Sequence, residues 1–137
     1  MMEIVLPPQG KGPGVLVVHP WWGLNQTILS YGATLAQQGF VVALPDLFDG
    51  AVTTDPAGAE KLADATWPQA VPKLTAALDG LSRHPAVTQA ELGAVGFSFG
   101  GVVCGVIGQL APDLVDSIVF VGAAGLGLPR EPLDLKS

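Results

Sequence analysis

Short apolar runs alternate along the chain with segments of helical periodicity, and this alternation restricts the possible folds more than any other feature of the sequence. The runs are rich in Val, Leu, Ile and Phe, which is typical of buried strands; they span 14–19, 40–44, 92–97 and 117–121, with a shorter one at 4–6. The segments between them predict helices over 26–38, 59–65 and 68–81 and from Phe99 to about Leu110. Strands that alternate with helices form a parallel sheet with right-handed crossovers. The chain is therefore predicted to be a single α/β domain, residues 1–137, in which a mostly parallel sheet has helices on both faces.

The chain is unusually apolar. Hydrophobic residues make up 49% of it and charged residues only 13%, which excludes a disordered segment. A parallel sheet that is buried on both faces explains this composition. A second explanation stays open, namely that part of the apolar surface normally meets a segment outside these 137 residues.

The charge balance is acidic. There are 12 carboxylates against 6 Lys and Arg, and the basic residues form no cluster. Nucleic-acid phosphates and anionic membrane surfaces both require clustered Lys and Arg, so neither is an expected partner. No apolar run approaches the ~20 residues that span a bilayer, and the N-terminus does not resemble a signal peptide. The expected location is cytoplasmic.

No metal and no cofactor are expected. The single Cys104 and the two distant histidines, His19 and His84, do not have the spacing of metal ligands. Residues 96–101 match neither the dinucleotide-binding glycine pattern nor a P-loop, and residues 122–127 also miss the dinucleotide spacing.

A Gly-x-Ser-x-Gly pattern, Gly96-Phe97-Ser98-Phe99-Gly100, lies between a predicted strand and a predicted helix. A nucleophile elbow occupies this position, where a sharp turn lifts the serine hydroxyl clear of the sheet. Side chains in place of Gly96 and Gly100 would collide with the strand and the helix. The pattern predicts Ser98 as the nucleophile and the N–H of Phe99 as an oxyanion donor. The alternative is that the pattern arises by chance in a glycine-rich chain.

A second motif, His19-Pro20-Trp21-Trp22-Gly23-Leu24, follows the first long strand. α/β-Hydrolases take their other oxyanion N–H from this topological position, and here the candidate is the N–H of Trp21. The alternative is that Trp21 and Trp22 only cap the core. His19 is interpreted as a structural histidine whose ring bonds nearby backbone, and His84 is expected to be exposed in a connector.

A third motif is Pro45-Asp46-Leu47-Phe48-Asp49-Gly50. The serine motif can also be extended to Gly93-Ala94-Val95-Gly96-Phe97-Ser98-Phe99-Gly100-Gly101. Together the three resemble the dienelactone hydrolase family of α/β-hydrolases, in the right order and over nearly the whole chain. The resemblance implies an α/β-hydrolase-like fold and an esterase-like hydrolase with a nucleophile, histidine and aspartate triad. It also implies oxyanion N–H groups from Phe99 and Trp21, and a small ester or lactone as the substrate.

The chain departs from the family pattern at three places within these motifs. The nucleophile is usually cysteine and here is Ser98. A glutamate usually follows the strand-end histidine and contacts that cysteine, whereas here the residue is Pro20, which suits a hydroxyl nucleophile. An arginine that grips the dienelactone carboxylate usually follows the Pro-Asp-Leu motif, but none occurs between Asp46 and Thr54. Dienelactone itself is therefore not the expected substrate.

The largest departure concerns the end of the sequence. In the family the triad aspartate and histidine come after the next strand, whereas this chain ends at Leu133-Asp134-Leu135-Lys136-Ser137. The chain is interpreted as the N-terminal part of a family member, an incomplete domain that lacks the C-terminal strands and the triad acid and histidine. Two hypotheses remain: a serine hydrolase, or a catalytically silent α/β module that serves binding or assembly. The strand at 117–121 would leave an exposed sheet edge, through which self-association is expected.

Overall fold

The computed structural model describes residues 2–89, 91–97 and 115–121, together with 105, 109 and 113. Within them the elements in chain order are β1 (Met2–Val5), β2 (Gly14–Val18), α1 (Gln26–Gln37), β3 (Val41–Pro45), α2 (Pro56–Ser82), β4 (Leu92–Phe97) and β5 (Val115–Val121). All five predicted strands are confirmed, with ends within two residues of those predicted. Of the helix predicted from Phe99 to about Leu110, only Gly105 and Gln109 are described, and both are helical.

The strands form one sheet in the order β1-β3-β2-β4-β5. The strand β1 pairs antiparallel with β3 at one edge, and the other neighbours pair in parallel. Every residue of β2 and β3 is buried, as is typical of central parallel strands. The predicted α/β architecture with a mostly parallel sheet is confirmed.

The two faces of the sheet carry separate apolar cores, because successive side chains of a strand point to opposite faces. In β2, Leu16 and Val18 belong to the core under α2, whereas Val15 and Val17 belong to the core under α1. The helices therefore lie on both faces, as predicted. The helix α1 begins where the Asn25 side chain accepts a hydrogen bond from the Ile28 N–H at 3.1 Å, a typical N-cap.

The helix α2 corrects one prediction. The sequence predicts two helices, 59–65 and 68–81, because proline usually marks a helix start or end. The structure instead has one continuous helix of 27 residues with Pro68 and Pro72 inside it. The two prolines deprive the carbonyls of Asp64 and Pro68 of their usual partners, but both of these residues are exposed and water reaches them. Burial of one helix face outweighs this loss; the buried residues are Ala59, Ala70, Leu74, Ala77, Leu78 and Leu81.

Candidate active site

The strands β2 and β4 end side by side. They pair in parallel with Val18 opposite Gly96, so the chain leaves both strands at the same edge of the sheet. After β2 it crosses to β3 on one side, and after β4 it crosses to β5 on the other. This is a topological switch point, and α/β sheets bind ligands beyond the carboxyl ends of their strands at such a point. His19 follows β2 directly, and Ser98 comes two residues after Gly96 in the sequence.

The elbow itself is only partly described. Gly96 is buried within β4, and Phe97 ends that strand with its ring packed edge-on against Tyr31 at 5.0 Å. The strand that should lead into the elbow is therefore present. Ser98, Phe99 and Gly100 lie outside the described residues, so their roles stay predictions.

The loop after β2 begins with a tight turn. The Gly23 N–H donates to the Pro20 carbonyl at 3.0 Å, with Trp21 and Trp22 between them. Gly23 has φ +96°, and a Cβ at this position would lie 2.5 Å from the Ala51 carbonyl oxygen. Only glycine tolerates both conditions.

The backbone N–H of Trp21, which the sequence predicts as an oxyanion donor, lies within the same turn. Among the hydrogen bonds between described residues, none uses the N–H of Trp21. The Trp21 side chain is half-buried; it packs on the core under α2 and lies edge-on to Trp22 at 5.5 Å. Contact of the Trp21 side chain with the core, which the alternative interpretation expects, therefore occurs without any described residue accepting the Trp21 backbone N–H.

His19 is fully buried, and both of its ring nitrogens are engaged. Nε2 accepts a hydrogen bond from the Leu47 N–H at 3.0 Å, so the proton of the neutral ring lies on Nδ1. Nδ1 then donates to the Pro20 carbonyl at 2.7 Å. Burial lowers the pKa of His19, and its backbone bond to Pro20 and the charge of Asp46 oppose this effect only in part. The prediction of a structural histidine that bonds nearby backbone is confirmed.

Four hydrogen bonds to Asp46 and Leu47 hold the segment after β3 in place. The Asp46 carboxylate accepts from the N–H groups of Phe48 and Gly50, both at 3.0 Å. The Leu47 carbonyl accepts from the Thr66 hydroxyl and the Lys73 ammonium, both at 3.3 Å. From the sequence alone, residues 45–50 are identified only by their resemblance to a family motif, and none of these contacts is predicted. An aspartate followed within four residues by glycine could have indicated the turn, but not the contacts from α2.

His84 lies away from these loops, between α2 and β4. It is half-buried rather than exposed, because its Nδ1 accepts from the Ala86 N–H at 3.1 Å and holds the ring against its own turn. His84 therefore lies before the start of β4, at the end of that strand opposite the switch point, whereas His19 has both ring nitrogens on backbone groups. Within the described part of the chain, no group of three His, Cys, Asp or Glu residues could hold a metal ion. No helix in that part is long and apolar enough to cross a membrane.

A small recess borders the loop after β2. Its volume is about 260 Å³, and it is lined by Trp22, Asn25, Thr53 and Thr54. A larger depression of about 420 Å³ includes Gly14 and Leu92, the first residues of β2 and β4. From these strand starts it extends along the α1 face of the sheet to Val95 and Val119, and neither His19 nor Trp21 lines it.

The model of the dienelactone hydrolase family matches residues 2–136. The chain belongs to the dienelactone hydrolase family. Among curated proteins it is 32% identical to the protein usf of Aquifex pyrophilus and 28% identical to a putative carboxymethylenebutenolidase of Aquifex aeolicus (strain VF5). Each match covers 84% of this chain and 53% of the relative. The chain thus spans about half the length of the curated relatives it matches.

Solved structures agree with the family assignment. A dienelactone hydrolase-like promiscuous phosphotriesterase from metagenomic libraries is similar with a TM-score of 0.76 and 28% identity. That match covers 88% of this chain and 53% of the other. The α/β-hydrolase-like fold that the motifs imply is confirmed, and the chain is related to hydrolases.

The buried histidine of this dienelactone hydrolase family member gives a pH prediction. Burial lowers the pKa of His19 in the folded protein from its usual value of 6.5. At pH values between the lowered pKa and 6.5, the unfolded chain therefore binds a proton on this ring and the folded protein does not. The free energy of unfolding should be highest above pH 6.5 and fall as the pH drops toward the lowered pKa, by at most about 1.4 kcal/mol per pH unit.

Urea unfolding between pH 5.5 and 7.5 checks this prediction. His19→Asn should flatten the pH dependence, because it removes the titrating ring. His84→Asn, at the other histidine, should leave the slope due to His19 in place. A slope that survives in His19→Asn would show that another group causes it.

Proposed function

We propose that the protein hydrolyses small carboxylic esters or lactones with Ser98 as the nucleophile. The Ser98 hydroxyl attacks the carbonyl carbon as its proton passes to a base, and the N–H groups of Trp21 and Phe99 stabilise the oxyanion. The alcohol then leaves, and water hydrolyses the acyl-serine. The observation that carries this proposal is the pairing of Val18 with Gly96. It brings the loop with the Trp21 N–H, which no described residue accepts, beside the strand that precedes Ser98.

The proposal includes a base and an acid from outside residues 1–137. His19 uses both ring nitrogens on backbone groups, and His84 follows α2 before the start of β4. A serine hydroxyl is a weak nucleophile until a base takes its proton. The triad acid and histidine are therefore proposed to belong to a further segment of the full-length protein.

The proposed substrates are neutral. The chain has a formal net charge of −6, and the described loops around the switch point contain the carboxylates Asp46 and Asp49. Lys73 of α2 already pairs with Asp49 at 3.0 Å. An anionic dienelactone would meet no free cation among these loop residues, whereas an uncharged ester would avoid the repulsion. The recess beside Trp22 and Asn25 is proposed to hold part of the substrate.

The proposal also includes a cytoplasmic location and self-association of this chain. Within the described residues, β5 pairs only with β4, which leaves its other edge unpaired. Unpaired edges favour pairing between chains.

A fluorophosphonate probe tests the proposed nucleophile in the full-length natural protein. We expect one covalent adduct per chain, on the tryptic peptide 84–130, with fragmentation placing it on Ser98. That peptide contains a second serine, Ser117, so Ser117→Ala is the matched control and should label normally. Native protein that neither labels nor hydrolyses p-nitrophenyl acetate would instead support the silent binding or assembly module.

A further inference from the structure

The Pro20 carbonyl is held from two sides. It accepts from the Gly23 N–H at 3.0 Å and from His19 Nδ1 at 2.7 Å. The first bond closes the turn within the loop. The second comes from a fully buried ring and ties the carbonyl to the body of the protein. Both lone pairs of the Pro20 oxygen are therefore used.

The orientation of this carbonyl also fixes the orientation of the Trp21 N–H. The Pro20 carbonyl and the Trp21 N–H belong to one peptide unit, which is planar and trans. In such a unit the C=O and the N–H point in opposite directions. The Trp21 N–H therefore points away from His19, and no other described residue accepts it. Rotation of this peptide would break two hydrogen bonds, one of them to a buried ring.

The far side of the His19 ring is anchored as well. Its Nε2 accepts from Leu47, 28 residues along the chain. The Leu47 carbonyl in turn accepts hydrogen bonds from the side chains of Thr66 and Lys73, both on α2. Phe48 packs against the ring with centroids 4.8 Å apart. The ring therefore cannot turn, and the tautomer that donates to Pro20 is the one that also accepts from Leu47.

We propose that His19 is a positioning residue: its Nδ1–H holds the Pro20–Trp21 peptide so that the Trp21 N–H faces a developing oxyanion. The inference rests on the proposed function, in which this N–H is one of the two oxyanion donors. His19 neither touches the substrate nor transfers a proton. Its effect is confined to steps in which negative charge develops on the carbonyl oxygen.

Two replacements of His19 separate its two hydrogen bonds. Asparagine places a side-chain N–H near the position of Nδ1, so His19→Asn can keep the bond to Pro20 and lose the one to Leu47. Glutamine places its oxygen near the position of Nε2, so His19→Gln can keep the bond to Leu47 and lose the one to Pro20. Each variant loses one buried hydrogen bond, so both should unfold at lower urea concentrations than the natural protein.

The kinetic results should differ between the two variants. In the full-length protein with p-nitrophenyl acetate, we expect His19→Gln to lower kcat about 10- to 100-fold, approaching the loss of one oxyanion donor. KM should change little, because the uncharged ester is not gripped by this N–H. We expect His19→Asn to restore most of the kcat. A purely structural role would instead lower kcat in proportion to the loss of stability in each variant.

A measurement without turnover completes the test. Long-range ¹⁵N–¹H NMR spectra of the natural protein at pH 7 should show His19 as the neutral Nδ1–H tautomer. An Nε2–H tautomer would overturn the inference, as would equal kcat values for His19→Gln and the natural protein. Ser98→Ala, assayed in parallel, identifies which proposal fails. If Ser98→Ala retains full turnover, or no form hydrolyses the ester, the proposed function fails and the inference falls with it. If only Ser98→Ala is inactive, the positioning role alone is wrong.

Discussion

Replacement of Ser98 by alanine should lower kcat for p-nitrophenyl acetate in the full-length protein by about 10⁴- to 10⁶-fold. Alanine has no hydroxyl to attack the ester, so no acyl-enzyme forms. The remaining rate should exceed that in water by at most ~10³–10⁴-fold, because backbone donors and substrate binding still act without the nucleophile. The effect should appear in kcat far more than in KM, since the hydroxyl contributes mainly to the chemical step.

Steady-state kinetics and a pre-steady-state burst measurement check this expectation. The natural protein should release a burst of p-nitrophenol that matches the enzyme concentration, and Ser98→Ala should release none. Ser117→Ala is the control, because Ser117 lies exposed on β5. A Ser98→Ala protein with more than about a tenth of the natural kcat would be incompatible with the expected loss from removing a nucleophile.

Gly12→Ala should lower the free energy of unfolding by about 3 kcal/mol, at the upper end of the range for overpacked sites. A Cβ on Gly12 would overlap the carbonyl oxygen of Gly39, which is backbone and cannot rotate away. Gly12 itself cannot shift easily. Its N–H donates to Ala86 at 3.0 Å, and its carbonyl accepts from Thr88 at 3.0 Å. The added methyl group must therefore push apart two segments that pack on either side.

Urea unfolding of the 137-residue chain at pH 7.5 measures this loss, and Gly93→Ala is the matched control. The nearest atom to a Cβ on Gly93 is the Ser117 hydroxyl oxygen at 3.7 Å, an ordinary contact. Gly93→Ala should therefore cost less than about 1 kcal/mol. Equal stability losses in the two variants would show that the close approach of Gly12 to Gly39 does not exist in solution.

The strands could be predicted from the sequence because each is a short apolar run bounded by turn residues. The run at 92–97 has the same ends in the structure. The helix α2 could not be predicted in full. Proline normally marks the start or end of a helix, so Pro68 predicts a break, whereas the apolar side chains buried on one face of α2 extend continuously from Ala59 to Leu81. That conflict is decided by packing against the sheet, which no local pattern contains.

The candidate site could be predicted where it depends on chain order. The position of Trp21 after β2 and the backbone bonding of His19 followed from their place at the end of a strand. The partnership of His19 with Leu47 could not be foreseen, because it joins a ring to a backbone N–H across 28 residues. The contacts of Thr66 and Lys73 with the Leu47 carbonyl depend in the same way on how α2 lies over the sheet. Ser98 and Phe99 stay predictions.

Three contacts connect the loop after β2 with the loop after β3, on one side of the switch point. The Leu47 N–H meets His19, Gly23 packs against Ala51, and the Thr53 N–H donates to the Trp22 carbonyl at 3.1 Å. An insertion or deletion in either loop would disturb all three contacts together. Among family members with this arrangement, we therefore expect variation here to occur by exchange of side chains such as Asn25 and Thr54, while the lengths of both loops stay constant.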